Sequence, residues 1–261
     1  MNDFFKKYPK TIIGMVHCLP LPGTARYSDL NQVRKQALAD ALTLQKAGYD
    51  AIMIENMGDA PYAEKMDLAQ ITAMSAIAEM IKEAVDLPLG IDCAFSDYRS
   101  ALAIAKAVGA DFIRIPVFID TVVYANGIIY PSAHDALIYR REIDAEKVLI
   151  MADLQVKHTH MLVNDMSIEE SAKLAEASGA DAVVVTGVLT GKPTSIEDIE
   201  QVKKAVTVPV YVGSGVSVKN IKDQLSIASG VIVGSSLKDK GKVSLPVDFD
   251  LAKELIEAYK K

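Results

Sequence analysis

Val208-Pro-Val-Tyr-Val-Gly-Ser-Gly-Val-Ser-Val-Lys-Asn220 and, ten residues on, Gly230-Val-Ile-Val-Gly-Ser-Ser236 decide the fold. Each is a short β-branched run that stops on glycine and serine and then gives way to a helical pattern. Glycine lets the backbone come close to a ligand, and the N-terminus of the following turn adds free N–H groups and a positive partial charge. Two such units in tandem near the end of a chain of about 250 residues match the phosphate site after strands 7 and 8 of a (β/α)8 barrel. The phosphate-binding residues expected here are Gly213, Ser214, Gly215, Gly234 and Ser235. Two tight turns that need small residues for steric reasons are the competing explanation.

Outward from that pair, the same grammar repeats. Eight strands are expected at Thr11–His17, Asp50–Asn56, Pro88–Asp92, Asp111–Ile115, Lys147–Asp153, Asp181–Thr186, Val208–Gly213 and Gly230–Gly234. Most are continuous runs of Ile, Val, Leu and Met, as suits parallel strands buried on both faces. Helical patterns lie between them, among them Asn31–Ala47, Leu68–Val85, Asp97–Val108, Ser167–Ser178 and Ser195–Val206. Ser167 and Glu170 have capping-box spacing. The phrases Ala47-Gly-Tyr-Asp50, Val108-Gly-Ala-Asp111 and Ser178-Gly-Ala-Asp181 repeat a helix stop followed by a strand start, with glycine where a left-handed cap is wanted. The chain therefore reads as α/β: a single-domain (β/α)8 TIM barrel over residues 1–261. A doubly wound open sheet is the alternative, against which eight units and the lack of GxGxxG after the first strand both argue.

Helix-to-strand links are short and strand-to-helix links are mostly long, as expected of a barrel with a working C-terminal face. The segment after the fourth strand, Val122–Tyr130, holds Asn126-Gly127 between apolar runs. It predicts a β-hairpin insertion lying over the mouth or against a second subunit.

Alternation along the strands turns Met53 and Glu55 inward, and with them Asp92, Arg114, Asp153 and Thr186, while His17 closes the first strand. These polar side chains then converge on one rim. Arg114 could pair with Asp92 or Glu55, but three carboxylates against one arginine leave charge over. Such a group would hold a raised pKa, bind Mg²⁺ or another divalent cation through Glu55, Asp92 and Asp153, or contact a cationic or hydroxylated ligand. The catalytic candidates are Glu55, Asp92, Asp153, Lys157 and His158. Other ligand-binding candidates are His17, Asn56, Arg114, Thr186, Gly187 and Thr190. A Schiff-base role for Lys157 is disfavoured because it stands beyond its strand, and His160 reads as an exposed loop residue. His17 and His158 lack the spacing of a zinc pair.

Composition excludes other classes. The 261 residues are 50% hydrophobic with a net charge of −6, which gives no electrostatic reason to expect nucleic acid or an anionic membrane. No apolar run approaches the roughly 18 residues of a membrane span. Cys18 and Cys93 are too few for a disulfide framework. The expectation is a cytoplasmic homo-oligomer that binds a phosphorylated small molecule.

Several phrases together resemble the BtpA family, SgcQ-like barrel proteins included. They are Ile13-Gly-Met-Val-His-Cys-Leu-Pro-Leu-Pro-Gly23, Ile54-Glu-Asn-Met-Gly-Asp59 with Pro61-Tyr62, and Gly109-Ala-Asp-Phe-Ile-Arg-Ile115. Then follow Asp153 with Lys157-His158, Ala180–Gly187 with Thr190-Gly191, Val212-Gly-Ser-Gly-Val216, Gly234-Ser-Ser-Leu-Lys238 and Pro246-Val-Asp248. The resemblance runs from about residue 10 to residue 250 and implies a barrel related to phosphate-binding barrel enzymes, without a defined reaction. It departs at Asp92-Cys-Ala-Phe-Ser-Asp97, where the family pattern is an Asn-Val-Leu-Arg-Asn-Asp-like segment, so it carries over no substrate specificity. Two functions follow as expectations. One is an enzyme (lyase, isomerase or glycosidic-bond hydrolase) acting on a sugar phosphate or nucleotide-like compound. The other is a non-catalytic phosphometabolite-binding or assembly factor with a role in photosystem I biogenesis.

Overall fold

The computed structural model describes residues 4, 7, 9–125, 127–163, 165–187 and 194–260. Strands and helices alternate as the sequence predicts: β1 (Thr11–His17), α1 (Leu30–Ala47), β2 (Ala51–Glu55), α2 (Leu68–Ala84), β3 (Leu89–Asp92), α3 (Tyr98–Val108) and β4 (Phe112–Ile115). A hairpin, β5 (Val122–Tyr124) and β6 (Gly127–Ile129), precedes α4 (Ala133–Glu142) and β7 (Leu149–Leu154). The chain continues through β8 (His160–Met161), α5 (Ile168–Ala177), β9 (Ala182–Val185), α6 (Ile196–Ala205), β10 (Val210–Val212), α7 (Ile221–Ile227), β11 (Gly230–Val233) and α8 (Phe249–Lys260). Eight of these strands close in the order β1-β2-β3-β4-β7-β9-β10-β11, and the recorded pairings among them are parallel. The fold is a (β/α)8 barrel, and the open-sheet alternative is excluded by the β1–β11 pairing.

The inward parity is as expected. Ile13, Met15, Met53, Phe112, Leu149, Met151, Val184, Tyr211 and Ile232 fill the interior as one cluster, joined by Phe4, whose ring centroid lies 5.3 Å from that of Phe112. Ile12, Val16, Ile52, Ile54, Ile91 and Ile113 face the helices in a second cluster. A sheet buried on both faces needs apolar residues at every position, so the strands carry no visible alternation.

The repeated helix-stop phrase has a structural cause beyond its glycine. Gly48 and Gly109 cap α1 and α3 in the left-handed region, at φ 95° and 66°. The aspartate two residues on then accepts from the backbone of a neighbouring strand: Ile12 N to Asp50 at 2.8 Å, Leu89 N to Asp111 at 2.9 Å and Ile150 N to Asp181 at 2.9 Å. Each phrase ends one helix and pins the entrance of a strand, so element boundaries at this end of the barrel are covalently close and tightly bonded. The Ser167–Glu170 capping box forms, and Asp67 with Gln70 makes a second one.

The hairpin forms after β4; Asn126 lies outside the described residues. It gains a third strand, β8, which pairs with β5 through Val122–Met161 and Val123–His160. His160 is therefore strand-paired, though exposed.

Candidate functional site

Strand register assembles the site. His17 stands opposite Glu55, Glu55 opposite Asp92, and Asp92 opposite Arg114, so four adjacent strands each carry an inward polar residue at one level, at or next to their C-terminal ends. His17 Nε2 lies 3.5 Å from Glu55 Oε2. Arg114 forks onto Asp153, with Nε and Nη2 each 2.8 Å from one carboxylate oxygen, while its Nη1 lies 3.5 Å from Asp92 Oδ2. A bidentate pair of this kind is the strong form of an ion pair.

That geometry bears on two expectations. Asp153 is fully buried, does not line the cavity at the mouth, and has both its oxygens held by Arg114, which gives it a partner other than a ligand. The divalent-cation reading of Glu55, Asp92 and Asp153 does not fit either. The guanidinium takes the position a cation would need, and no group of three or more acidic, His or Cys side chains suited to a metal occurs among the described residues. Asn56 also has a different task from the expected one. Its amide donates to Asp59 at 2.9 Å and to the Ala94 carbonyl at 3.2 Å and accepts from Ala94 N at 2.7 Å, which clamps the loops after β2 and β3 together. Asp59 extends the clamp to Leu21 N in the loop after β1, at 2.7 Å.

The remaining carboxylates are in unequal environments. Burial raises the Glu55 pKa, but the His17 hydrogen bond and the charges of His17, Arg114 and Lys157 outweigh it and hold the group below its usual range. Asp92 goes the other way: burial, then the Glu55 charge, push it well above the usual carboxylate range, with Arg114 offsetting only part. Its Oδ1 is buried without a hydrogen-bond partner, as is His17 Nδ1. Two adjacent acids displaced in opposite directions form the pattern found where one group holds a proton and the other does not.

Across the mouth stand the glycine–serine turns. Gly213 is the residue it is because a methyl there would come within 2.6 Å of Val184 Cγ1 and 3.4 Å of Arg114 Nη2. At Gly234 an added methyl would meet His17 Cε1 at 2.8 Å. The steric explanation for these glycines therefore holds, and it is compatible with a ligand above them. Lys157, in the loop after β7, donates from Nζ to Ser214 Oγ at 2.9 Å and from its backbone N to Thr186 Oγ1 at 3.2 Å. Burial, with the Arg114 charge, lowers the Lys157 pKa, and burial together with Lys157 lowers that of His158. Among the described residues no hydrogen bond engages the backbone N–H of Ser214, Gly215 or Ser235.

One cavity at the C-terminal mouth joins both halves. His17, Glu55, Asp92, Arg114, Lys157 and His158 line it together with Gly213, Ser214, Gly215, Gly234 and Ser235. Thr186 and Gly187 are buried beside it without lining it, and Thr190 lies outside the described residues. The aromatic wall was missed from sequence: Tyr62, Phe95 and Tyr124 come from three different loops, and Phe95 stacks on Tyr124 with centroids 4.4 Å apart. The signal for it was an aromatic residue in each of the segments that follow β2, β3 and β4. Tyr124 belongs to β5, so the hairpin does lie over the mouth.

The profile of the BtpA family matches residues 8–261. The chain belongs to the BtpA family. Its BtpA-family relatives include an uncharacterised protein of Methanocaldococcus jannaschii, 39% identical over all of this chain and 98% of its own length. Another is the photosystem I biogenesis protein BtpA of Synechocystis, 38% identical across 98% of this chain and 91% of that protein. Among solved structures, (S)-3-O-geranylgeranylglyceryl phosphate synthase from Thermoplasma acidophilum superimposes with a TM-score of 0.63 at 18% identity, covering 99% of this chain and 97% of that one. Thiamine phosphate pyrophosphorylase from Pyrococcus furiosus gives 0.59 at 15% identity, over 98% of each chain. These likenesses place this BtpA-family chain in the TIM-barrel fold and say nothing of its substrate. No helix among its described residues is long and apolar enough to cross a membrane.

Proposed function

We propose that this protein is an enzyme acting on a small phosphorylated metabolite. The observation that carries the proposal is the single cavity in which Lys157 and the Gly213–Gly215 and Gly234–Ser235 turns face buried, unequally protonating carboxylates. A lysine beside two glycine turns favours a dianion by charge and close backbone approach. Glu55, steadied by His17, serves as the base, and Asp92 as the acid. Isomerisation and lyase chemistry both use such a pair at the mouth of a barrel. The solved barrels that resemble this one include enzymes whose names specify phosphorylated compounds, which agrees with the proposal. The second reading, a binding or assembly factor, is favoured by one observation only, the name of the Synechocystis relative.

Calorimetry with inorganic phosphate tests the first step. Binding that weakens at least tenfold in Lys157→Met supports the anion site, and equal binding to both proteins removes it.

A further inference from the structure

Among the carboxylates of the mouth, Asp92 has the poorest compensation. It is 2% exposed, and Arg114, its cross-strand neighbour, gives its hydrogen-bonding fork to Asp153 and leaves Asp92 a contact at 3.5 Å. On its other side the cross-strand neighbour is Glu55, a like charge. The groups that bear on it are thus Glu55 from β2, Arg114 from β4, Asp153 from β7 and Lys157 from the following loop. Oδ2 faces the guanidinium. Oδ1 faces no protein donor or acceptor, is itself buried, and belongs to a residue that lines the cavity.

A buried carboxylate oxygen without a donor is costly, and the cost falls when the group takes a proton. With Oδ2 turned to Arg114, the proton belongs on Oδ1, which then needs an acceptor. Building on the phosphorylated-substrate reading, we propose that Asp92 is a hydrogen-bond donor in the resting site and that the substrate carries a carbonyl oxygen to receive its Oδ1 proton. In barrel order β3 lies four strands from β10, the far side of an eight-stranded ring, so the carbonyl end is held opposite the phosphate end. The substrate class is therefore a phosphorylated aldehyde, ketone or similar carbonyl compound, rather than a phosphorylated amine.

Three phosphate esters of similar size separate the possibilities: hydroxyacetone phosphate offers an acceptor, 2-aminopropyl phosphate a donor, and propyl phosphate neither. By calorimetry near neutral pH, hydroxyacetone phosphate should bind at least about fivefold tighter than propyl phosphate, the scale of one net hydrogen bond. Asp92→Asn, whose amide still donates, should keep part of that preference, and Asp92→Ala should lose it. Tightest binding by 2-aminopropyl phosphate, or an undiminished preference in Asp92→Ala, would overturn the proposal. The carboxyl carbon resonance of Asp92, identified by its loss in Asp92→Asn, gives a check that needs no ligand. A protonated shift at neutral pH supports the proposal and an ionised one refutes it. If inorganic phosphate does not bind while Asp92 is protonated, the anion site fails and the donor assignment stands.

Discussion

Replacing Asp153 by Asn tests the pairing at the centre of the barrel. The substitution keeps volume and shape but exchanges a carboxylate that holds Arg114 through two 2.8 Å bonds for a neutral amide. Removing one partner of a buried pair costs about 3–5 kcal/mol, because the other charge remains buried. Here the lower end applies, since Asp92 stands 3.5 Å from the same guanidinium and can ionise in response. Unfolding entropy is about 2.1 cal/mol/K per residue, and over 261 residues that is about 0.55 kcal/mol/K. The melting temperature should then fall by about 5–6 °C. A companion protein, Arg114→Met with Asp153→Leu, should lose less than Asp153→Asn, because no unpaired buried cation is left. Thermal and urea unfolding followed by circular dichroism supply the readout. A fall of less than about 2 °C in Asp153→Asn would refute the claim that Asp153 is committed to Arg114. It would return Asp153 to the list of groups open to a ligand.

Gly234→Ala should lose about 1–3 kcal/mol, because the new methyl would stand 2.8 Å from His17 Cε1 and 3.4 Å from Met15 Cγ. Introducing His17→Ala alongside should recover part of it, and an equal loss in both backgrounds, read from urea midpoints, would argue against this contact. Sulfate affinity should be full where Lys157 is protonated and fall as pH rises through its lowered pKa, hence below the usual lysine value of about 10.4. The midpoint should move away in Lys157→Arg, since arginine keeps its charge, and an unchanged midpoint would assign the titration to another group. Ile128, Tyr130 and Leu162 are 47%, 70% and 51% exposed around the hairpin. We expect a second copy to cover them, so light scattering should give at least a dimer mass that Tyr130→Asp reduces, and a monomer in the unmodified protein would end this expectation.

The fold was legible because each element's type follows from local pattern. Length separates buried strands from helices, glycine marks the ends, and the Asn126-Gly127 step marks the hairpin. β8 was not legible, since two residues carry no period and their pairing depends on β5 being in place. For the site, parity along the strands brought His17, Glu55, Asp92, Arg114 and Asp153 to one rim, where the structure has them. Parity could not say which carboxylate takes the arginine. That depends on register: Arg114 is level with Met151, and its side chain must rise past that level to reach Asp153. Asn56 misled because an amide at a strand end looks the same in sequence whether it meets a ligand or, as here, bridges two loops. The aromatic wall depends on loop paths, which follow from clamps such as Asn56–Ala94 and Asp120–Gln155 rather than from any periodic signal.

The interior cluster under the site reaches from Met15 and Ile232, on the cavity floor, to Phe112 with Phe4 packed on it. Among the described residues the barrel is thus a well, closed at the bottom by its own side chains. A ligand held in the cavity therefore cannot leave along the barrel axis. On the proposed phosphorylated-substrate reading, a product that keeps the phosphate would compete with the next substrate for Lys157, so product inhibition should be competitive. Nor can a small fragment released at the mouth be tunnelled through the barrel axis to a partner docked at the opposite face. Any hand-over of a ligand to another protein would have to occur at the rim, where the hairpin stands.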